Sequence, residues 1–226
     1  MLTVPDAPQV PVKIGRIVDL SHELTPGREP TPLEVTHRRE RVTPYTKMQD
    51  AIFVGSHTGT HMESELHYRY PGWNVVDIKL EHCIGPAVVL NFSHKGLKEA
   101  ISLEELRAAG PIEIGDRVLL YTGWDQRYRT SESHLGPWPT AEACHWLVDD
   151  RHIRLFGTDG NAFDVIGDKE SPNHRTFLSE ASIPVIENLA HLDELRKQRV
   201  WLIAVPLRIR GLDASPIRAL AIEEAD

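Results

Sequence analysis

The sequence predicts a β-rich α/β domain with mixed strands and short helices packed on the outside. β-Branched runs recur along the chain, bounded by Gly, Pro, Asp or Asn. Helical patterns are fewer and short. No low-complexity tract, repeat or linker divides the sequence. At 226 residues, with 41% apolar and 26% charged residues, the chain suits one large domain that buries a substantial core.

Taken in order, the prolines of "MLTVPDAPQVPVKIGR" predict an extended arm over residues 1–15, ahead of a domain over 16–226. Strands are expected at "RIVDLS" (16–21), "LEVTHRRERV" (33–42), "GPAVVLNF" (85–92) and "DRVLLYTG" (116–123). Further strands follow at "IRLFGTDG" (153–160), "SIPVIENL" (182–189), "VWLIAVPLRI" (200–209) and "PIRALAI" (216–222). The segment "SLEELRAAG" opens on a Ser102-x-x-Glu105 capping box and stops at Gly110, which predicts a helix. "TAEACHWLVDD" is a second helix, with Thr140 as its N-cap and Glu142 in the first turn. "NLAHLDELRKQ" ends in basic residues and is expected to be a third.

Charge and composition exclude several functions. A net charge of −8 without a basic stripe argues against nucleic acid as a partner. No apolar run reaches the length of a membrane span, and the N-terminus has no signal-peptide pattern, so a cytoplasmic protein is expected. Cys83 and Cys144 read as buried packing residues, which leaves nitrogen and oxygen to hold any metal.

The segment "VGSHTGTHMESELHYRYPG" concentrates such donors. His57, Gly59, His61, Glu63, Glu65 and His67 share one face of an extended chain. Full extension puts the α-carbons of His57 and His61 roughly 13 Å apart, about the limit for one shared metal. A bend at Gly59-Thr60 brings them comfortably into range. The alternative is a short helix from His61, because Thr60-x-x-Glu63 matches a capping box. Elsewhere, Glu187 ends an otherwise apolar run, where a carboxylate needs a partner or a metal.

The segment resembles the His-x-Gly-Thr-His-x-Asp-x-Pro-x-His signature of the cyclase-like metal-dependent hydrolases, which include bacterial kynurenine formamidase and isatin hydrolase. "IVDLSHELTPG", "YTGWDQRY", "SPNHRTFLSEASIPVIENL" and "VPLRIRGLDASPIRALAI" look like further landmarks in family order, from about residue 16 to 222. The resemblance implies a swivelling β/β/α fold and a homodimer or homotetramer. It implies a divalent metal, Zn or Mn, one or two per subunit, held by His57, His61 and Glu63, with His174 and Glu187 completing a second site. His67 matches the family's catalytic histidine. Two positions depart from the signature: Glu63 replaces Asp, and Glu65 replaces Pro and is expected to support a histidine from behind.

The expected activity is hydrolysis of an amide, cyclic amide or lactone on a small, aromatic substrate, N-formylkynurenine being the leading example that the resemblance implies. Water activated by the metal would attack, with His67 as general base. Trp124, Tyr128 and Trp138 are candidates for an aromatic wall, Arg127 or Arg129 for an acidic group, and His134 and Asp159 for the pocket lining. A polyketide-type cyclase or dehydratase, or a non-catalytic metal- or ligand-binding protein, are the competing readings.

Overall fold

A computed structural model describes residues 13–161 and 163–225; of the arm expected over residues 1–15, residues 1–12 lie outside them, and Ile14 and Gly15 already belong to the first strand. The strands are β1 (Ile14–Asp19), β2 (Leu33–Val42), β3 (Tyr45–Val54), β4 (His61–Glu63), β5 (Ile84–Asn91), β6 (Ala100–Ile101), β7 (Arg117–Tyr121), β8 (Trp138–Pro139), β9 (Leu155–Thr158), β10 (Val185–Glu187), β11 (Arg199–Pro206) and β12 (Ala214–Glu224). The helices are α1 (Glu65–Tyr68), α2 (Leu80–Cys83), α3 (Leu103–Ala108), α4 (Ala141–Asp149) and α5 (Pro172–His174). The β-rich α/β class with short outer helices is as the sequence predicts.

The main sheet runs β1-β12-β11-β5-β7-β9-β10-β4, and β4 pairs again with β12 to close it into a barrel. The length of β12 permits this: Ala214–Pro216 meet β4 and Leu220–Glu224 meet β1 along the same edge. The β5–β7, β7–β9 and β9–β10 pairs are parallel; the other pairs of this sheet are antiparallel.

Strand alternation divides the apolar residues into two cores. Ala87, Val89, Leu119, Leu155, Ile186 and Met62 fill the barrel. Val88, Leu90, Val118, Leu120, Phe156 and Val185 point the other way and are covered from α3, α4 and the 172–183 segment. The capping box of α3 forms in full, with Ser102 Oγ accepting from Glu105 N and Glu105 Oε2 accepting from Ser102 N. Thr140 Oγ1 caps α4 by accepting from Ala143 N.

The third helix does not form. Asn188 and His191 adopt positive φ, and the amides of Asn188, Leu189 and Ala190 donate to Gly160, Thr158 and Leu20. Tertiary hydrogen bonding leaves only a single 3₁₀ turn at Leu192–Glu194. Four strands were not foreseen, the two-residue pair β6 and β8 together with β3 and β4. β4 is three residues long, and β3 carries Lys47, Gln49 and Asp50 among its apolar residues. β3 pairs with β2 from Leu33↔Val54 to Val42↔Tyr45, forming a hairpin exposed along nearly all its length. Among the described residues, no helix is long and apolar enough to cross a membrane.

Candidate active site

The donors of the histidine-rich segment are brought together by a turn and a strand. Gly59 takes a φ of 66°, and the chain bends there before β4 begins. Within β4, Met62 enters the barrel core, so His61 and Glu63 emerge on the opposite face. The register sets Glu187 of β10 directly across from His61, with Val185 across from Glu63. Helix α1 starts at Glu65, not at His61. The capping box at Thr60 fails because its hydroxyl donates to Asn188 O (2.5 Å) and accepts from His22 N (3.0 Å).

His57 Nδ1 lies 3.0 Å from His61 Nε2 and 3.0 Å from Glu63 Oε1. The remaining edge, His61 Nε2 to Glu63 Oε1, is 3.4 Å. Bonds near 2.1 Å separate neighbouring ligand atoms by about 3.0 Å in octahedral and about 3.4 Å in tetrahedral coordination. The three donors therefore already have the spacing of ligands around one cation. Glu63 Oε2 is buried without a hydrogen bond and lies 3.4 Å from His174 Nε2, which is itself 3.6 Å from Glu187 Oε1. The glutamate, a methylene longer than the signature's aspartate, thus presents one oxygen to each group of donors. Imidazole nitrogen and carboxylate oxygen fit a divalent cation such as Zn or Mn.

The other histidines are aimed by carboxylates behind them. Asp164 pairs with His174 Nδ1, and Phe163 stacks on the ring at 4.2 Å, so Nε2 faces the site. Asp213 Oδ2 reaches His57 Nε2 at 2.9 Å and His67 Nδ1 at 3.4 Å. His67 Nε2 then lies 3.8 Å from Glu63 Oε1. Burial opposes charge on His57, but Glu63 and Asp213 outweigh it and raise its pKa to about 9. Burial likewise opposes charge on His174, yet Asp164, Glu187 and Glu63 raise it well above its ordinary value. Glu63 is held well below the usual carboxylate range despite its burial, by the imidazoles of His174, His57 and His61. Asp213, partly buried, is drawn down to about 2 by His57, Ser56 and His67.

The donors open into a cavity of about 300 Å³, at the small end for a small-molecule site. Pro30, Thr31, Tyr128 and Asn161 complete its lining. Several sequence expectations need correcting here. Trp124 is buried, donates its Nε1 hydrogen to Glu132 O at 3.1 Å, and carries Arg127 stacked 4.6 Å over its ring. Arg127 also pairs with Glu132, so the two residues knit a surface turn rather than line the cavity. Asp159 is buried beneath that turn and accepts from the amides of Thr122, Gly123 and Trp124; it braces backbone. Exposed His134 and half-buried Trp138 also lie outside the lining. Glu65 does not back a histidine: its carboxylate accepts from Trp73 N and pairs with Arg69, tying α1 to the turn after it.

Sequence reasoning missed Asp164, Asp213 and Asn161. Asp213 lay in a quoted landmark, "GLDASP", where an acid among small and apolar residues was the available signal. Asp164 stands ten positions before His174, across a loop whose path the sequence does not disclose.

The family model described as "Putative cyclase" matches residues 18–165, more than half of the chain. A kynurenine formamidase of Sphingopyxis alaskensis is 33% identical over 186 residues, covering 77% of this chain and 80% of that protein. One from Bacillus cytotoxicus is 28% identical over 223 residues, covering 92% and 98%. Isatin hydrolase A from Ralstonia solanacearum superposes with a TM-score of 0.77 at 28% identity, over 92% of each chain. With its fold, its signature segment and these matches in agreement, the chain belongs to the cyclase family.

Proposed function

We propose that this protein is a metal-dependent hydrolase that cleaves an amide C–N bond in a small aryl formamide or cyclic amide. One observation carries the reading: His57 Nδ1, His61 Nε2 and Glu63 Oε1 converge with edges of 3.0, 3.0 and 3.4 Å at the base of a small cavity. The relatives named kynurenine formamidase and isatin hydrolase support the bond type. His57, His61 and Glu63 would hold one divalent cation, Zn or Mn, and His174 and Glu187 would share Glu63 with a second. When bound there, such a cation supplies Lewis acidity, which polarises a carbonyl and makes water a competent nucleophile at neutral pH.

The protein's own groups do the rest. His67, with Nδ1 toward Asp213, keeps Nε2 free to accept a proton from the attacking water. The water oxygen bonds to the carbonyl carbon, the C–N bond breaks, and the leaving nitrogen takes the proton back from His67. Glu63, held ionised by the surrounding imidazoles, keeps negative charge beside them, and Tyr128 and Thr31 form part of the cavity wall.

The test is chelation followed by readdition of Zn or Mn, with formate or ring-opened acid measured on a panel of aryl formamides, cyclic amides and lactones. Metal-restored release supports the reading. Metal binding without turnover on any member would return the protein to the cyclase or non-catalytic readings.

The same proposal takes the working state as a cytoplasmic homodimer or homotetramer. Support comes from the β2–β3 hairpin, which leaves Tyr45, Met48, Ile52 and Phe53 exposed. An isolated hairpin in water is marginally stable, so a second copy packed against it accounts for its length. Light scattering on the wild type and on an Ile52→Lys, Phe53→Lys variant should show the larger species only in the former.

A further inference from the structure

Tyr128 lies just beyond the 3₁₀ turn Trp124–Arg127, lines the cavity and is 5% exposed. Its hydroxyl is used twice: it donates to Glu29 Oε2 at 2.9 Å and accepts from Gly59 N at 2.8 Å. Gly59 is the bend between His57 and His61, and only glycine fits there, a residue that does little by itself to fix its backbone. A Cβ there would lie 2.4 Å from Leu24 Cδ2, and its φ of 66° is one that other residues rarely adopt.

Glu29 is fixed in turn. Its side chain is 1% exposed and receives Arg129 Nη2 at 2.8 Å and Thr25 N at 2.7 Å. The segment holding Glu29 grips the bend at two more points, through His22 N to Thr60 Oγ1 (3.0 Å) and Thr31 Oγ1 to Thr58 Oγ1 (2.7 Å). His22 also stacks on the Tyr128 ring at 4.2 Å.

We propose that Tyr128 is a positioning residue for the His57–His61 pair, its phenol locking the Gly59 amide so that the two imidazoles meet, with Glu29 and Arg129 as its anchor. A phenol suits the place because a single oxygen must both accept an N–H and donate to a carboxylate. Phenylalanine would keep the ring and its stacking on His22 while leaving the Gly59 N–H and the Glu29 oxygen without this partner. The bend that sets the 3.0 Å separation of the two nitrogens would then be free to relax. The inference rests on the reading of His57 and His61 as metal ligands, and it concerns how tightly and in what geometry they bind.

The test is Co²⁺ titration of the apo protein, followed by its visible d–d absorption, in wild type, Tyr128→Phe and Glu29→Gln. The expected result for Tyr128→Phe is a metal Kd raised roughly 10–100-fold, as removal of groups orienting ligands commonly gives. The d–d bands should also shift in position or intensity, reporting altered coordination independently of stability or turnover. Glu29→Gln, which keeps an acceptor for the phenol, should fall between the other two. Wild-type Kd and spectrum in both variants would overturn the inference while leaving the proposed activity intact. Wild-type protein that takes up no Co²⁺ would overturn both. If Tyr128→Phe fails to fold, Glu29→Gln decides alone: an unchanged spectrum and Kd would reject the anchor.

Discussion

The candidate site has an inner and an outer half, and they are fixed by different means. The inner half, His61, Glu63 and Glu187, is 1%, 1% and 6% exposed and sits on β4 and β10 in the barrel wall. In the outer half His57 and Asp213 are half-buried and His67 is exposed, and the three stand on a turn, a loop and a one-turn helix. Register holds the inner groups: moving β4 by one residue would send Met62 to the site and both donors into an apolar core. The outer groups hold one another, through one oxygen of Asp213 that serves two imidazoles. The dry interior suits ligation, His57 reaching in from the rim to join it, and the wetter rim at His67 suits proton transfer. That division implies that damage to the inner half removes the metal, whereas damage at His67 leaves it bound and removes chemistry.

The largest effect should therefore come from Glu63→Gln. It keeps the shape but deletes the carboxylate that approaches both donor groups more closely than Glu187 does. The purified variant is expected to carry no stoichiometric metal by elemental analysis and to show background turnover. Retention of full metal content would erase the distinction between the halves. Next comes His67→Ala, expected to lower kcat by about 10²–10⁴-fold, the usual worth of a general base. Its metal content should be unchanged. Loss of metal in His67→Ala would instead place His67 among the ligands, an assignment the 3.8 Å approach of its Nε2 to Glu63 makes a real competitor.

The same division governs what could be read from the sequence. The odd-numbered row from His57 to Glu63 and the bend at Gly59 were legible because strand alternation and glycine's positive φ are local properties. Glu187 was legible as a carboxylate closing an apolar run, and the family resemblance added His174 and gave both a place in the site. Trp124, Arg127 and Asp159 misled because they sit in a landmark or a turn and look functional. Their partners, Glu132 and the amides of 122–124, satisfy them within the scaffold. Asp213 escaped because its role exists only where the loop before β12 crosses the β4 edge, a contact set by barrel closure. The helix expected at 188–198 failed for the same kind of reason, since long-range hydrogen bonds claim its first amides.

Proton competition should give the third effect. In the metal-free protein His57 has a pKa of about 9, so at neutral pH it carries a proton that a cation must displace. Metal affinity is therefore expected to rise about tenfold per pH unit for each proton released, from pH 6 until the pH passes about 9. Calorimetry in buffers of different ionisation enthalpy measures that release. The stability of the apo protein should run the opposite way. A histidine whose folded pKa is raised contributes stability fully below its ordinary value of 6.5, and that contribution fades as pH climbs through about 9. Asp213, lowered from 3.8 to about 2, contributes above 3.8 and loses its contribution as pH falls toward 2. Metal-free melting temperature should then be highest between these limits and decline on both sides.

The smallest effect, and the sharpest on how the outer half works, is expected from Asp213→Asn. The amide can still accept a hydrogen bond from His57 Nε2, so orientation partly survives, but the charge that helps raise the His57 pKa is gone. Two consequences oppose each other at neutral pH. Poorer orientation weakens metal binding by roughly tenfold, while easier deprotonation of His57 returns part of that loss. The net change at pH 7 should be only a few-fold, but the shape of the pH dependence should differ clearly. Affinity in the variant should stop rising at a lower pH than in the wild type, because His57 has already released its proton. Parallel curves for the two proteins would mean that Asp213 acts only as a geometric support. An earlier plateau would mean that Asp213 tunes, by one shared carboxylate, when His57 is free to join His61 and Glu63 around the metal.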